Sequence, residues 1–578
     1  MIGFLKKIWS LLDKKEKFLF FLLLVMMCFG AYLELLGIGL VLPIIAVLTN
    51  PVLLQENKLL HFIYRLLSPS SDRQFMVIMC LLVSAVFFLK MVFFLVLTKV
   101  QAKFSYDKCQ KMERELFSAY VSAPYLYHLN KNSAEIFSNF NQMKGPFVAF
   151  LTSVMLLLTE FICVFFIFLS LFVFTPLATL VVLLMAAAGF GFIVLVVKRY
   201  GNTLGRQDYG KSLQANKLIM ETFQNIKEVK LYCREEQFFR SFSAVIGSRK
   251  KVLEKIAILG QAPRFIIEFV MVLGAMGLLV AFVLFDVASA SILLKLSLIC
   301  IALIRLMPSF SRIQYNYTNA KILHQTFDSV LFDLFHTPEE GMQGEEKDFA
   351  FEKSIEVKNV SFSYLSGKEV LKNVSFSIEK NTSCGFIGKT GCGKTTLADI
   401  LIGLIFPASG EICVDGRPVR ENIRKWRSLI GYVPQQIQLF DDTIAANVAF
   451  GVEKSKVDQT KLRKCLEMAQ AWDFVSSLEQ GTETLIGENG IRLSGGQRQR
   501  LGIARALYHE PKFLVLDEAT SALDNETEKA FMDAVGTLQG KLTMLIIAHR
   551  LSTIRKCDQI IDLSDGTAEK KDPAALKI

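Results

Sequence analysis

Two connections in this 578-residue chain, 172–177 and 286–290, hold neither lysine nor arginine, although the whole sequence carries 65 of them. Basic residues gather in cytoplasmic loops of membrane proteins, so their absence argues against a cytoplasmic place for these two segments. The eleven cysteines show no metal-ligand spacing, which excludes a cysteine-built metal site. No cleavable signal is legible, because the first apolar run is too long and lacks an A-x-A site. Charged residues are scarce at 21%, against 52% apolar residues, 48 of them Phe. A soluble enzyme of this size is seldom so apolar, and the mean hydropathy of +0.39 indicates membrane.

What is present falls into unlike halves. Six apolar runs, about 18–48, 75–98, 147–173, 177–197, 265–285 and 289–311, are each long enough to cross a hydrocarbon core of about 30 Å. Lys6, Lys7, Lys14, Lys15 and Lys17 precede the first, and the segments 99–146 and 198–264 are rich in Lys and Arg. Both termini are therefore expected in the cytoplasm, with 49–74, 172–177 and 286–290 outside. The net charge of +11 follows this topology, so nucleic acid is not expected as a partner. Cys28, Cys80, Cys163 and Cys300 lie in spans and the other seven in cytoplasmic segments. They read as reduced thiols packed as small hydrophobes. Within 49–74, Leu53, Leu60, Ile63 and Leu67 can share one helical face while Glu56, Lys58 and Arg65 are polar. This predicts a helix over 53–67, lying on the outer membrane surface or on the protein's own top.

The organisation predicted is an α-helical membrane domain over 1–335, a charged linker over 336–350, and an α/β nucleotide-binding domain over 351–578. In the last, Gly388, Lys389, Thr390, Gly391, Cys392, Gly393, Lys394 and Thr395 spell G-x-x-x-x-G-K-[ST] between a short apolar strand and a helix that continues with Thr396. Glycines there let backbone N–H groups wrap phosphates, Lys394 adds charge at the β/γ oxygens, and Thr395 offers a hydroxyl to Mg2+. "FLVLDE" reads as a buried strand ending in Asp517, placed to hold Mg2+ through water, and Glu518, placed to polarise the attacking water.

With "LSGGQRQR" at 493–500, the chain from 354 to about 565 resembles the ATP-binding cassette family. The resemblance implies an exporter fold, ATP and Mg2+ as cofactors, and further roles. Tyr364 would stack on adenine, Gln435 would touch Mg2+, and His549 would contact the γ-phosphate. Ser494, Gly495, Gly496 and the adjoining Gln497 would meet ATP bound to the other subunit, with Asp524 across the dimer seam. "TETLIGENG" at 482–490 resembles the exporter loop that faces the partner's coupling helices. Six spans and one cassette are half a transporter, so a homodimer is implied. Residues 120–140 resemble the first coupling-helix region of exporters, and 221–242 the stretch after the second.

Three cations, Lys90, Arg264 and Arg305, fall at or near the inner-leaflet end of their spans. A cation in mid-bilayer costs about 2.5–3.5 kcal/mol on insertion scales, so such residues mark function, snorkelling or a local pair such as Arg264 with Glu268. "YLELLGIGLVLP", "APRFIIEF" and "ALIRLMPSFSRI" resemble the bacterial lipid-linked oligosaccharide flippases of the PglK and Wzk type. That likeness implies an undecaprenyl-pyrophosphate glycan as substrate, a bacterial inner-membrane location, and Lys90, Arg264 and Arg305 as its pyrophosphate contacts. The alternatives are an exporter of another lipid or a drug, or an ATP-gated channel or regulator.

Overall fold

The computed structural model describes residues 2–40, 72–174, 176–284, 289–340, 349–364, 367–518, 535–548 and 554–572. The chain divides into two compact units, Met1–Ala123 with Asn130–Pro338, and Pro124–Leu129 with Glu339–Ile578. The surface helix expected over 53–67 lies outside the described residues.

The first unit is helical. A backbone crossing hydrocarbon must satisfy its own N–H and C=O groups, and long Leu/Phe/Val runs do so as helices. The helices are α1 (Ile2–Leu11), α2 (Lys14–Gly39), α3 (Asp72–Val121), α4 (Tyr125–Asn130, placed mostly in the second unit), α5 (Ser133–Gln142), α6 (Val148–Phe174), α7 (Pro176–Gln224), α8 (Ile226–Leu231), α9 (Glu235–Leu284) and α10 (Ser289–His336). The described parts of the expected spans lie on the long helices α2, α3, α6, α7, α9 and α10. Among the described residues, four stretches, Lys14–Gly37, Gln74–Val121, Ser133–Ser170 and Glu235–Gly274, are long and apolar enough to cross a membrane. At 50 residues, α3 and α9 far exceed the ~20 residues a bilayer needs, so each extends well beyond it. Leu81, Phe88, Leu89 and Leu95 on α3 stay exposed, a face suited to acyl chains.

Polar contacts fasten the helices outside the apolar runs. Lys108 of α3 donates to the Leu11 carbonyl at 2.6 Å and to Glu16 at 2.8 Å, which clamps the turn between α1 and α2. Buried Asp333 of α10 accepts from Tyr120 at 2.5 Å, from Asn139 at 2.6 Å, and from Lys131 at 2.7 and 2.8 Å. Tyr209 of α7 donates to Asn139 at 3.0 Å, so four helices meet at one carboxylate network. At Gly205 the α7 backbone approaches α10 so closely that a Cβ would stand 2.2 Å from the Ile322 carbonyl oxygen.

The second unit holds two sheets. The strands are β1 (Ser354–Ser363), β2 (Glu369–Glu379), β3 (Ser383–Ile387), β4 (Ser409–Val414), β5 (Arg417–Pro418), β6 (Ile430–Val433), β7 (Phe513–Asp517), β8 (Thr543–Ile547), β9 (Gln559–Ser564) and β10 (Thr567–Lys571). The small sheet, ordered β2-β1-β4-β5, is antiparallel. The large sheet, ordered β10-β9-β3-β8-β7-β6, is parallel except for its β10 edge. Every residue of β7 and β8 is buried, as continuous apolar strands inside a parallel sheet must be. Fully buried Trp426 stacks on Phe513 at 5.7 Å and donates its indole N–H to the Leu401 carbonyl at 2.8 Å. Beside it, Arg427 grips Glu340 at 2.9 and 2.5 Å and the Gly403 carbonyl at 2.5 Å. This ties the incoming chain to the domain.

Candidate functional site

In the large sheet β8 separates β3 from β7, and all three run parallel. The carboxyl ends of β3 and β7 therefore open on the same edge, where ligands of α/β sheets bind. The loop after β3 turns through Gly388, at φ 141°, and Gly393, at φ 103°, into α11 (Lys394–Leu401). A side chain at Gly388 would meet the Leu563 carbonyl at 2.3 Å and the Cys392 sulfur at 2.8 Å, so this turn requires glycine twice over, by φ and by space. Lys394 curls back over the loop, donating to the carbonyls of Gly388 at 2.9 Å and Lys389 at 3.1 Å. Lys389, Thr390, Gly391 and Thr395 are exposed, leaving the loop and the Thr395 hydroxyl accessible. The Tyr364 hydroxyl lies 3.1 Å from that of Thr396, which brings the expected adenine-stacking ring to the first turn of α11.

β7 ends in Asp517, buried, followed by Glu518 at φ 48°. A glutamate in the left-handed region is uncommon, and here the Glu518 N–H is held by the Ile547 carbonyl of β8 at 2.9 Å. Gln435, just after β6, donates its amide to the Glu518 carboxylate at 2.7 Å. Two site residues assigned from separate motifs are thus in direct contact. Tyr432 donates to Asp517 Oδ2 at 3.4 Å, while Asp517 Oδ1 is buried with no hydrogen-bond partner. A buried carboxylate oxygen so placed fits a cation, and Thr395 and Gln435 carry oxygens of the kind Mg2+ prefers. Burial pushes the Asp517 carboxyl up, and the Glu518 charge adds to the shift.

Sequence reasoning missed Asp399, on the buried side of α11. Burial, reinforced by the charge of Asp517, pushes its carboxyl up to about 6. Its signal was an acid in an otherwise apolar helix turn. Burial also pushes the Tyr432 phenol up.

Ser494 caps α12 (Gly495–Tyr508): its hydroxyl accepts from the Gln497 N–H at 3.2 Å, and the Gln497 side chain accepts from the Ser494 N–H at 2.9 Å. Ser494 and Gly495 are exposed. N–H groups at a helix start of this kind can meet an anion. His549 and Asp524 lie outside the described residues.

In the helical unit, Lys90 pairs with buried Glu34 at 2.5 Å and Arg312 with Glu160 at 2.7 Å. Both pairs line one cavity of about 520 Å3. Lone acids inside apolar runs were the available signal for Glu34 and Glu160. Arg264 is exposed on α9 and is not among the residues lining this cavity. The side chain of Arg305 lies outside the described residues.

A phosphate-loop domain following a bundle of long apolar helices defines an ATP-binding protein of the membrane. The sequence matches the family "ABC transporter transmembrane region" over residues 36–309 and the family "ABC transporter" over 371–521. The chain belongs to the ABC transporters. It is similar to the "ATP-dependent lipid A-core flippase" of Photobacterium profundum, with 43% identity over 239 residues, 41% of each chain. It is also similar to the protein of the same description from Burkholderia pseudomallei, with 42% identity over 245 residues, 42% of this chain and 41% of that one. The matches thus span about two fifths of these relatives' length. The fold is that of an exporter. A bacterial Atm1-family ABC exporter solved with ATP bound superposes with a TM-score of 0.78 at 20% identity, over 97% of this chain and 96% of that one.

Proposed function

We propose that two copies of this chain form a homodimer in a bacterial inner membrane. Driven by ATP, the dimer moves an undecaprenyl-pyrophosphate-linked oligosaccharide from the cytoplasmic to the periplasmic leaflet. One observation carries this reading: a single chain joins a phosphate-loop constellation to helices that line a cavity holding two cation–carboxylate pairs. Lys394 and the loop N–H groups bind the phosphates. Glu518 orients and polarises the attacking water, and Gln435 at 2.7 Å links that carboxylate to the neighbouring loop. Thr395, Gln435 and Asp517 would hold Mg2+, which supplies charge neutralisation on the β- and γ-oxygens. Ser494 and Gly495 face outward, as a site completed by a second copy requires. Lys90, Arg264 and Arg305 are assigned to the pyrophosphate.

The test is ATP hydrolysis by the purified dimer with and without a lipid-pyrophosphate glycan, together with glycan flipping in proteoliposomes normalised to reconstituted protein. Stimulated hydrolysis and ATP-dependent flipping are expected. Flipping at wild-type rates by both Arg305→Ala and Arg264→Ala would remove those two residues from the substrate site. A second reading, a flippase for a lipid A-type glycolipid, is favoured by the description the relatives carry. Stimulation by that lipid alone would select it.

A further inference from the structure

The cavity among α2, α3, α6 and α10 has an ordered charge arrangement. The side chains of Glu34 and Glu160 are 0% and 12% exposed, whereas those of Lys90 and Arg312 are 16% and 52% exposed. All four residues line the cavity, and in each pair the cation is the more exposed member. Ser309 is hydrogen-bonded to Glu160. The Phe87 ring lies 5.0 Å from the Lys90 ammonium. The rest of the lining is largely apolar, including Met91, Leu95 and Leu156. Lys90 and Arg312 are within electrostatic range of each other and repel. Each is kept in the low-dielectric site by its own carboxylate.

We propose that this cavity receives a phosphate group carried on a lipid, gripped by Lys90 and Arg312, and that Glu34 and Glu160 are internal counter-ions which the phosphate displaces. The proposal rests on the flippase reading and deepens it. It makes Arg312 a substrate contact and the two acids positioning residues. With both cations paired, the cavity is neutral and offers an uncharged lipid no charge to bind. A phosphate monoester or a pyrophosphate brings more charge than one carboxylate and has oxygens enough for two cations. The guanidinium fork also suits its geometry. The counter-ions thereby set a threshold: only a group that outcompetes a carboxylate enters.

The experiment uses the full-length dimer in phosphatidylcholine nanodiscs, titrated with radiolabelled dioleoyl phosphatidic acid and, as neutral control, dioleoylglycerol. Wild type is expected to bind the first and not the second. Arg312→Ala should weaken binding about tenfold or more, the loss of a charge-assisted hydrogen bond. Glu160→Gln should tighten it, since the competitor for Arg312 is weakened. A purely architectural ion pair predicts instead that both variants weaken binding together, with a parallel loss of thermal stability. That result, equal binding of dioleoylglycerol, or no binding of phosphatidic acid by wild type would each overturn the proposal. Displacement by excess inorganic pyrophosphate would identify phosphate alone as sufficient, and retention would identify the lipid-borne form; both stand with the proposal. Glycan flipping by a protein that does not bind phosphatidic acid sinks this inference and leaves the flippase reading. Arg312-dependent binding without ATP-driven flipping does the reverse.

Discussion

Replacing Asp333 by alanine should loosen the packing of α3, α5 and α10 together. The Asp333 carboxylate accepts two hydrogen bonds from Lys131, one from Tyr120 and one from Asn139. Its side chain is 6% exposed and that of Lys131 14%. Removing one partner of a buried ion pair costs about 3–5 kcal/mol, because the remaining charge is left without compensation. The low end applies here, since Lys131 keeps Glu135 at 3.3 Å, and the Glu135 side chain is 38% exposed. About 3 kcal/mol corresponds to roughly a hundredfold shift in a local opening equilibrium. Hydrogen–deuterium exchange in detergent reads this directly: amides of residues 133–142 should exchange roughly a hundredfold faster in Asp333→Ala. Asp333→Asn keeps one acceptor oxygen and loses the charge, so it should fall between wild type and alanine. Exchange in Asp333→Ala within about threefold of wild type would refute the claim that this carboxylate holds the helices, since a single neutral hydrogen bond already accounts for that much.

Glu518→Gln should bind ATP and turn it over about 100-fold more slowly or worse, the usual contribution of a positioned base. Phosphate release and nucleotide trapping measure this, and near-normal turnover would assign the water to another residue. A mixture of Ser494→Arg and Lys394→Ala subunits, each inactive alone, leaves one intact composite site per mixed dimer. Some ATPase should return on mixing, and recovery would demonstrate the shared site. Asp399 carries the pH prediction. Its carboxyl is raised from 3.8 to about 6 in the folded protein, so the native state holds the proton longer than the unfolded chain. Stability therefore falls as pH rises between about 4 and 6, and the full penalty applies above that window. Without nucleotide, Asp399→Asn should melt higher than wild type at neutral pH, and the difference should close as pH falls towards 4; a constant difference would mean that charge is not the cause.

The parts legible in sequence were those whose chemistry is local. Gly388 to Thr395 could be read because strand, loop and helix follow one another in the chain, and Asp517 because it ends an unbroken apolar strand. The strand order that brings them together was not legible, since the pairing of β3 with β8 and of β8 with β7 joins residues far apart in sequence. Lys90 stood out as a cation within an apolar run, and Arg312 lies just past the end of another. Their partners did not stand out: Glu34 and Glu160 lie on other helices, and nothing in a span's periodicity says which acid will face which base. Pro263 shows a different limit. It stands just before a predicted span, yet α9 runs through it from Glu235 to Leu284. A proline removes one helical hydrogen bond and need not end a long helix.

The grip of Arg427 on Glu340 bears on how such proteins are pieced together. Glu340 precedes the first strand of the cassette, which starts at Ser354, yet it belongs to the same compact unit. Counted as a transferable module, the cassette therefore begins ahead of its own sheet. If recombination or an engineer joins it to a foreign membrane domain at residue 350, the strands come along and the clasp on the incoming chain does not. A junction upstream of Glu340 carries both.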